Sequence, residues 1–175
     1  MRIEQAQLVR APRENVFQAW TDCESWPKWD PVAFTRVTVT ERVGDTTRID
    51  AETKFMGLRM RRTEKHVLTP PEKVEVTGGV PNATNTTLWK FEAVPEGTML
   101  TTVLEARFKG MLKLLQPIAE WQVRTVLRKW MQAFARYRDE VADRGAACMA
   151  LPGTRFCSRG LTGGKSLVDP RGFEP

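Results

Sequence analysis

The sequence predicts an α+β fold: a curved antiparallel sheet wrapped around one long C-terminal helix, with short helical structure after the first strand. Two observations carry this expectation. Residues 117–143 hold a single helical period, in which Val123, Val126, Leu127, Trp130, Met131, Phe134, Tyr137 and Val141 recur at three-and-four spacing. Almost everything before residue 109 alternates with period two between turn residues, the mark of hairpins. About 27 helical residues at roughly 1.5 Å each make a rod of about 40 Å. Such a rod, with two large aromatics on its apolar stripe, needs a wide apolar partner, and the strands are the candidate.

The helix carries punctuation at both ends. Pro117 suits a first-turn position, where its missing N–H costs nothing, and Glu120 places negative charge near the positive end of the dipole. Arg144-Gly145 reads as a stop. At the other end of the chain, residues 2–11 alternate loosely through Ile3, Ala6 and Leu8 as a first strand. Pro12-Arg13-Glu14-Asn15 then opens a helix whose apolar side is Val16, Phe17, Ala19 and Trp20. Trp26-Pro27-Lys28-Trp29 forms a stiff turn that presents two large flat surfaces. These tryptophans either plug the mouth of the core or meet a ligand.

Hairpins follow. Residues 34–43 and 46–55 are strands around a Gly44-Asp45 turn, the second with Ile49, Ala51, Thr53 and Phe55 on one face. Met56-Gly57 is the next turn, and its length decides which way the following strand faces. A two-residue loop pairs Phe55 with Leu58 and Thr53 with Met60, and turns Arg62, Glu64 and His66 inward; one more residue turns all three outward. A five-residue loop at residues 69–73 would keep His66 inside opposite Val76, whereas a tight loop at Pro70-Pro71 would exclude it. Sequence leaves both registers open. Residues 85–94 and 98–108 make the clearest hairpin, pairing Phe91 with Leu100, Trp89 with Thr102 and Thr87 with Leu104. Met111, Leu112, Leu114 and Leu115 then form a short apolar segment, read as a flexible flap or as the start of the long helix.

Composition bounds the function. The 175 residues are 41% hydrophobic and 27% charged, ordinary values for one globular domain that needs no disulfide or metal. Of the formal charge of +6, residues 145–175 contribute +2 and the rest +4. The one dense basic run, Arg59-Met60-Arg61-Arg62, is short and lies in a strand, so nucleic acid is not an expected partner. No stretch approaches the roughly 18 to 20 apolar residues of a membrane span, and the chain starts without a signal-like segment. The expectation is a cytoplasmic protein without stable membrane insertion. Cys23, Cys148 and Cys157 have no metal-like spacing, which fits a reducing compartment and no metal. No cofactor motif appears, and oligomeric state is not legible. Residues 145–175 lose all periodicity and are expected to be a disordered tail beside a domain of residues 1–144. Residues 172–175 match what the T-arm of a transfer RNA gene would encode, which leaves a readthrough origin open.

The order of strand, helix, Trp-Pro turn, six strands and long helix now joins specific motifs: Ala11-Pro12-Arg13-Glu14-Asn15-Val16-Phe17, Trp26-Pro27-Lys28-Trp29, Leu88-Trp89-Lys90-Phe91 before Glu96-Gly97-Thr98, and the Pro117 helix. Together they resemble the START-like helix-grip superfamily (SRPBCC), in its polyketide cyclase/dehydrase and lipid-transport branch, over residues 2 to about 143. The resemblance implies a seven-stranded sheet gripping the long helix around a deep cavity for apolar or aromatic small molecules such as lipids, polyketides or quinones. Trp89, Phe91, Leu100, Leu104, Phe55, Met60, Val126, Trp130 and Phe134 are the expected apolar lining, with Trp26 and Trp29 at its mouth. Arg62, Glu64, His66 and Thr102 would orient a ligand. Some members are cyclases or dehydratases; here His66 or Glu64 would remove a proton while Arg62 polarises a carbonyl. A third reading is a protein-interaction module, which a filled core without a pocket would favour.

Overall fold

Among the described residues, seven strands and three α-helices emerge in the expected order: β1 (Arg2–Val9), α1 (Arg13–Thr21), α2 (Trp26–Trp29), β2 (Phe34–Val43), β3 (Thr46–Phe55), β4 (Leu58–Thr69), β5 (Lys73–Val80), β6 (Ala83–Val94), β7 (Gly97–Phe108) and α3 (Gln116–Met149). A computed structural model describes residues 1–55, 58–80, 83–108 and 116–149, without the side chains of residues 55, 58, 80 and 142–149. The apolar segment at residues 111–115 and the tail from residue 150 lie outside the described residues.

The strands form one antiparallel sheet in the order β1-β7-β6-β5-β4-β3-β2. Sequential hairpins account for every neighbour except β1, which closes onto β7. Because β1 and β2 end on opposite edges, α1 and α2 must carry the chain across the sheet. The sheet wraps around α3 in the helix-grip arrangement, and Gln5 ties the two together by donating from Nε2 to Arg124 O at 2.8 Å.

Register follows the alternation where turns define it. Phe55 pairs with Leu58, Thr53 with Met60, Ala51 with Arg62 and Ile49 with Glu64. Leu68 pairs with Val74 and His66 with Val76. These are the registers of the two-residue and five-residue loops, so Glu64 and His66 face inward. Phe91 opposite Leu100 and Trp89 opposite Thr102 also pair as the sequence pattern requires.

Three readings need correction. β1 turns Ile3 and Val9 inward and leaves Ala6 outside, because its pairing with β7 rather than its weak alternation sets the face. Trp26-Pro27-Lys28-Trp29 is a turn of helix, with proline in its first turn, where no N–H is needed. α3 runs through Arg144 and Gly145 to Met149. Glycine in a helix interior costs only about 1 kcal/mol, and the two alanines that follow are strong helix formers. On the α3 stripe, Leu127, Trp130, Met131 and Phe134 are buried, whereas Val126 and Val141 at its margins are partly exposed.

Candidate functional site

The core is unevenly filled along its length. At one end, α1 and α2 press tryptophans between sheet and helix. Trp20 lies 4.3 Å from Trp89, 4.6 Å from Trp130 and 5.0 Å from Phe134, ring centre to ring centre. Trp29 stacks on Trp130 at 5.6 Å and meets Phe134 at 5.2 Å. Phe17 meets Phe91 edge-on at 5.2 Å. Each fully buried ring of this kind is worth roughly 1.5–3 kcal/mol in transfer alone, before the preference for edge-on and offset geometry. Past Trp89 and Trp130 the helices no longer reach, and a cavity of about 280 Å³ remains.

This cavity is walled by Leu104, Ala106 and Phe108 of β7, by Thr87 and Asn85 of β6, and by Ala119, Val123, Val126, Leu127 and Trp130 of α3. Trp26, Phe34 and Met60 close the side nearest the aromatic cluster. Val126 both lines the cavity and is 42% exposed, so the cavity reaches solvent beside α3.

One wall is polar. Arg62, Glu64 and His66 occupy alternate positions of β4, and all three line the cavity. Glu64 is 5% exposed and His66 2%, whereas the Arg62 side chain keeps 30% of its surface. His66 Nε2 stands 3.1 Å from Glu64 Oε2. Arg62 Nε stands 3.1 Å from Glu64 Oε1, an ion pair off the line of a hydrogen bond. The guanidinium also sits 5.8 Å over the Phe34 ring, a cation–π distance. Burial alone would raise the Glu64 pKa; the Arg62 charge, the hydrogen bond from His66 and the His66 charge outweigh it and hold the carboxyl below its ordinary range. Glu64 is therefore an anion and can only accept. Room for it comes from Gly78 on β5, where an added Cβ would lie 3.0 Å from Glu64 Cγ. Nearby, burial and then the charges of Glu64 and Asp22 push the Cys23 thiol up to about 12, so it is an inert core group.

The expected lining residues divide cleanly. Trp26, Met60, Arg62, Glu64, His66, Trp89, Leu104, Val126 and Trp130 meet at the cavity. Trp29, Phe91, Leu100, Thr102 and Phe134 do not, although all five are buried. They share the inward face but lie toward the end that α1 and α2 fill. The Phe55 side chain is outside the described residues. Sequence reasoning passed over Phe34, Asn85, Phe108 and Ala119. The residues at the ends of β2, β6 and β7 had one available signal, the inward parity of paired strands carried to its last residue. Among the described residues no group of three His, Cys, Asp or Glu is placed to hold a metal, and no helix is long and apolar enough to cross a membrane.

Comparison with known proteins agrees with this architecture. Residues 9–135 match the sequence profile of the family described as polyketide cyclase / dehydrase and lipid transport. The protein TTHA0849 from Thermus thermophilus superposes with a TM-score of 0.72 at 16% identity, over 81% of this chain and 99% of that one. The Zhui aromatase/cyclase from Streptomyces sp. R1128 does so with a TM-score of 0.69 at 14% identity, over 79% and 93%. A START superfamily protein from Mycobacterium smegmatis gives 0.67 at 14%, over 80% and 98%. At these identities the likeness is one of fold. None of the curated proteins matches the chain in sequence. With the profile match spanning most of the helix-grip body, the chain belongs to the polyketide cyclase/dehydrase and lipid-transport family.

Proposed function

We propose that the protein binds a small apolar or aromatic molecule, of the lipid, polyketide or quinone kind, in the cavity between the sheet and α3. The observation that carries this reading is a mostly apolar hollow with Arg62, Glu64 and His66 gathered along one strand of its wall, the pattern of small-molecule sites: dispersion and water exclusion give affinity, and a few placed polar groups give orientation. A volume of about 280 Å³ lies at the small end of ligand pockets, roughly 300–1,000 Å³, and suits a ligand of one or two rings better than a long lipid held whole. An interaction module would be favoured by a filled core, and this core is hollow at one end. Mass spectrometry of the full chain purified without detergent tests the reading. The expected result is a native mass above the denatured mass and a released molecule of this class. A chain with no excess mass that also takes up no small aromatic probe would sink it.

A second reading has its own observation. Arg62, Glu64 and His66 converge on one wall, and a base beside a carbonyl-polarising cation is what aldol closure and loss of water require. In that reading His66 takes the proton, Glu64 supports it, and Arg62 holds the developing oxyanion. The discriminating measurement is whether a bound polyketone-like probe leaves the protein cyclised or dehydrated, or unchanged.

A further inference from the structure

We propose that Glu64 is a positioning residue that holds His66 as its Nε2–H tautomer, leaving Nδ1 to accept a hydrogen bond from the hydroxyl of a phenolic or enolic ligand. This rests on the reading of the cavity as a small-molecule site and narrows the class of molecule it takes.

The argument starts from the inventory of donors and acceptors. A buried carboxylate paired with Arg62 is an acceptor only, so the 3.1 Å contact with His66 must be donated by Nε2–H. A neutral imidazole carries one N–H, and placing it on Nε2 leaves Nδ1 as a lone pair. Nδ1 has no partner among the described residues, and it is not among the side-chain atoms sealed away without one. His66 lines the cavity, so the group that completes its hydrogen bonding must come from there. That group must be a donor. A carbonyl, ether or carboxylate would face the lone pair with a lone pair of its own, whereas a phenol or enol O–H fits.

The rest of the wall suits the same ligand. The Arg62 ion pair uses Nε, and neither Nη has a partner among the described residues, so both remain able to donate to the ligand's oxygen or to a neighbouring carbonyl. Trp26 lies 5.8 Å from His66 at an interplanar angle of 35°, offering a flat face beside the imidazole. An aromatic ring placed against this wall meets a flat apolar face, an acceptor at His66 and donors at Arg62.

His66 is the sole histidine of the 175 residues, so one imidazole accounts for every histidine ring signal. The test is a long-range proton–nitrogen correlation spectrum of the full chain labelled with ¹⁵N-histidine, alone and with 2-naphthol, 2-methoxynaphthalene or naphthalene. The expected spectrum is of the Nε2–H tautomer, with Nδ1 moving upfield on addition of 2-naphthol alone. 2-Methoxynaphthalene, identical in ring and oxygen but lacking the donor, should bind roughly tenfold more weakly. In Glu64→Gln, whose side chain both donates and accepts, the tautomer should become mixed and the preference for 2-naphthol should fall. An Nδ1–H tautomer in the native chain, or an unchanged tautomer in a folded Glu64→Gln, overturns the proposal. Equal binding of all three probes overturns it while leaving the cavity reading intact; binding of none overturns both.

Discussion

Glu64 carries a full charge inside the protein because the Arg62 guanidinium and an N–H of His66 are arranged around it, and that arrangement has a cost that depends on pH. Arg62 and the His66 N–H together stabilise the anion by more than burial penalises it, so its pKa lies below the ordinary 4.5. A depressed carboxyl pKa contributes stability that is fully present above the unfolded value and is lost as pH falls through the folded one. Glu64→Gln should therefore unfold at lower urea than the native protein at pH 7, by about 1–3 kcal/mol, since the substitution leaves Arg62 and His66 imperfectly paired. The gap should close as pH is lowered below the ordinary 4.5 and on through the depressed folded value, because the native carboxyl then takes up a proton as well. Urea titrations of both proteins across that range give the answer, and a gap constant with pH would mean that Glu64 is not the ionised partner described.

α3 shows how one element does two jobs. From Trp130 onward its stripe is packed against the tryptophans of α1 and α2, while the turns before it face the cavity. Two tryptophans on this helix should then behave oppositely. Trp130 touches Trp20, Trp26, Trp29, Phe34 and Trp89, and Trp130→Ala should cost about 3–5 kcal/mol by opening the filled end of the core. Trp121 lies 65% exposed, and Trp121→Ala should change stability by no more than about 0.5 kcal/mol. Denaturant midpoints of the two variants check both figures. The stripe itself was readable from spacing, because a 3.6-residue period needs no partner to be seen. Which of its residues meet a void was not readable, since that depends on how far α1 and α2 reach along the groove.

For the whole molecule, we propose that the helix-grip domain ends with α3 and that the residues beyond Met149 are dispensable to it. Sequence placed the boundary at residue 144 on the strength of Gly145, but α3 continues to Met149, so the cut belongs after that helix. A chain ending at Met149 should unfold cooperatively with a Tm within about 2 °C of the full chain, measured calorimetrically. A larger loss would tie the C-terminal segment to the fold.

Sequence by itself determined the strands, the long helix, the order of elements and the inward face of the β6–β7 hairpin and of the helical stripe. Period and turn chemistry are local, and a paired strand inherits the face of its neighbour through a loop of fixed length. Phe91, Leu100 and Phe134 were correctly placed indoors for that reason. It did not determine that they belong to a solid aromatic end while Leu104, Phe108 and Val126 border the hollow one. Nor did it choose between the two registers of β4, since either loop length satisfies the alternation. Only tertiary structure decided these points: pairing β3 and β5 on both sides of β4 fixed the inward turn of Arg62, Glu64 and His66, and the crossing of α1 and α2 fixed where packing stops. A cavity is the volume that no side chain reaches, and that is a property of the assembled elements together.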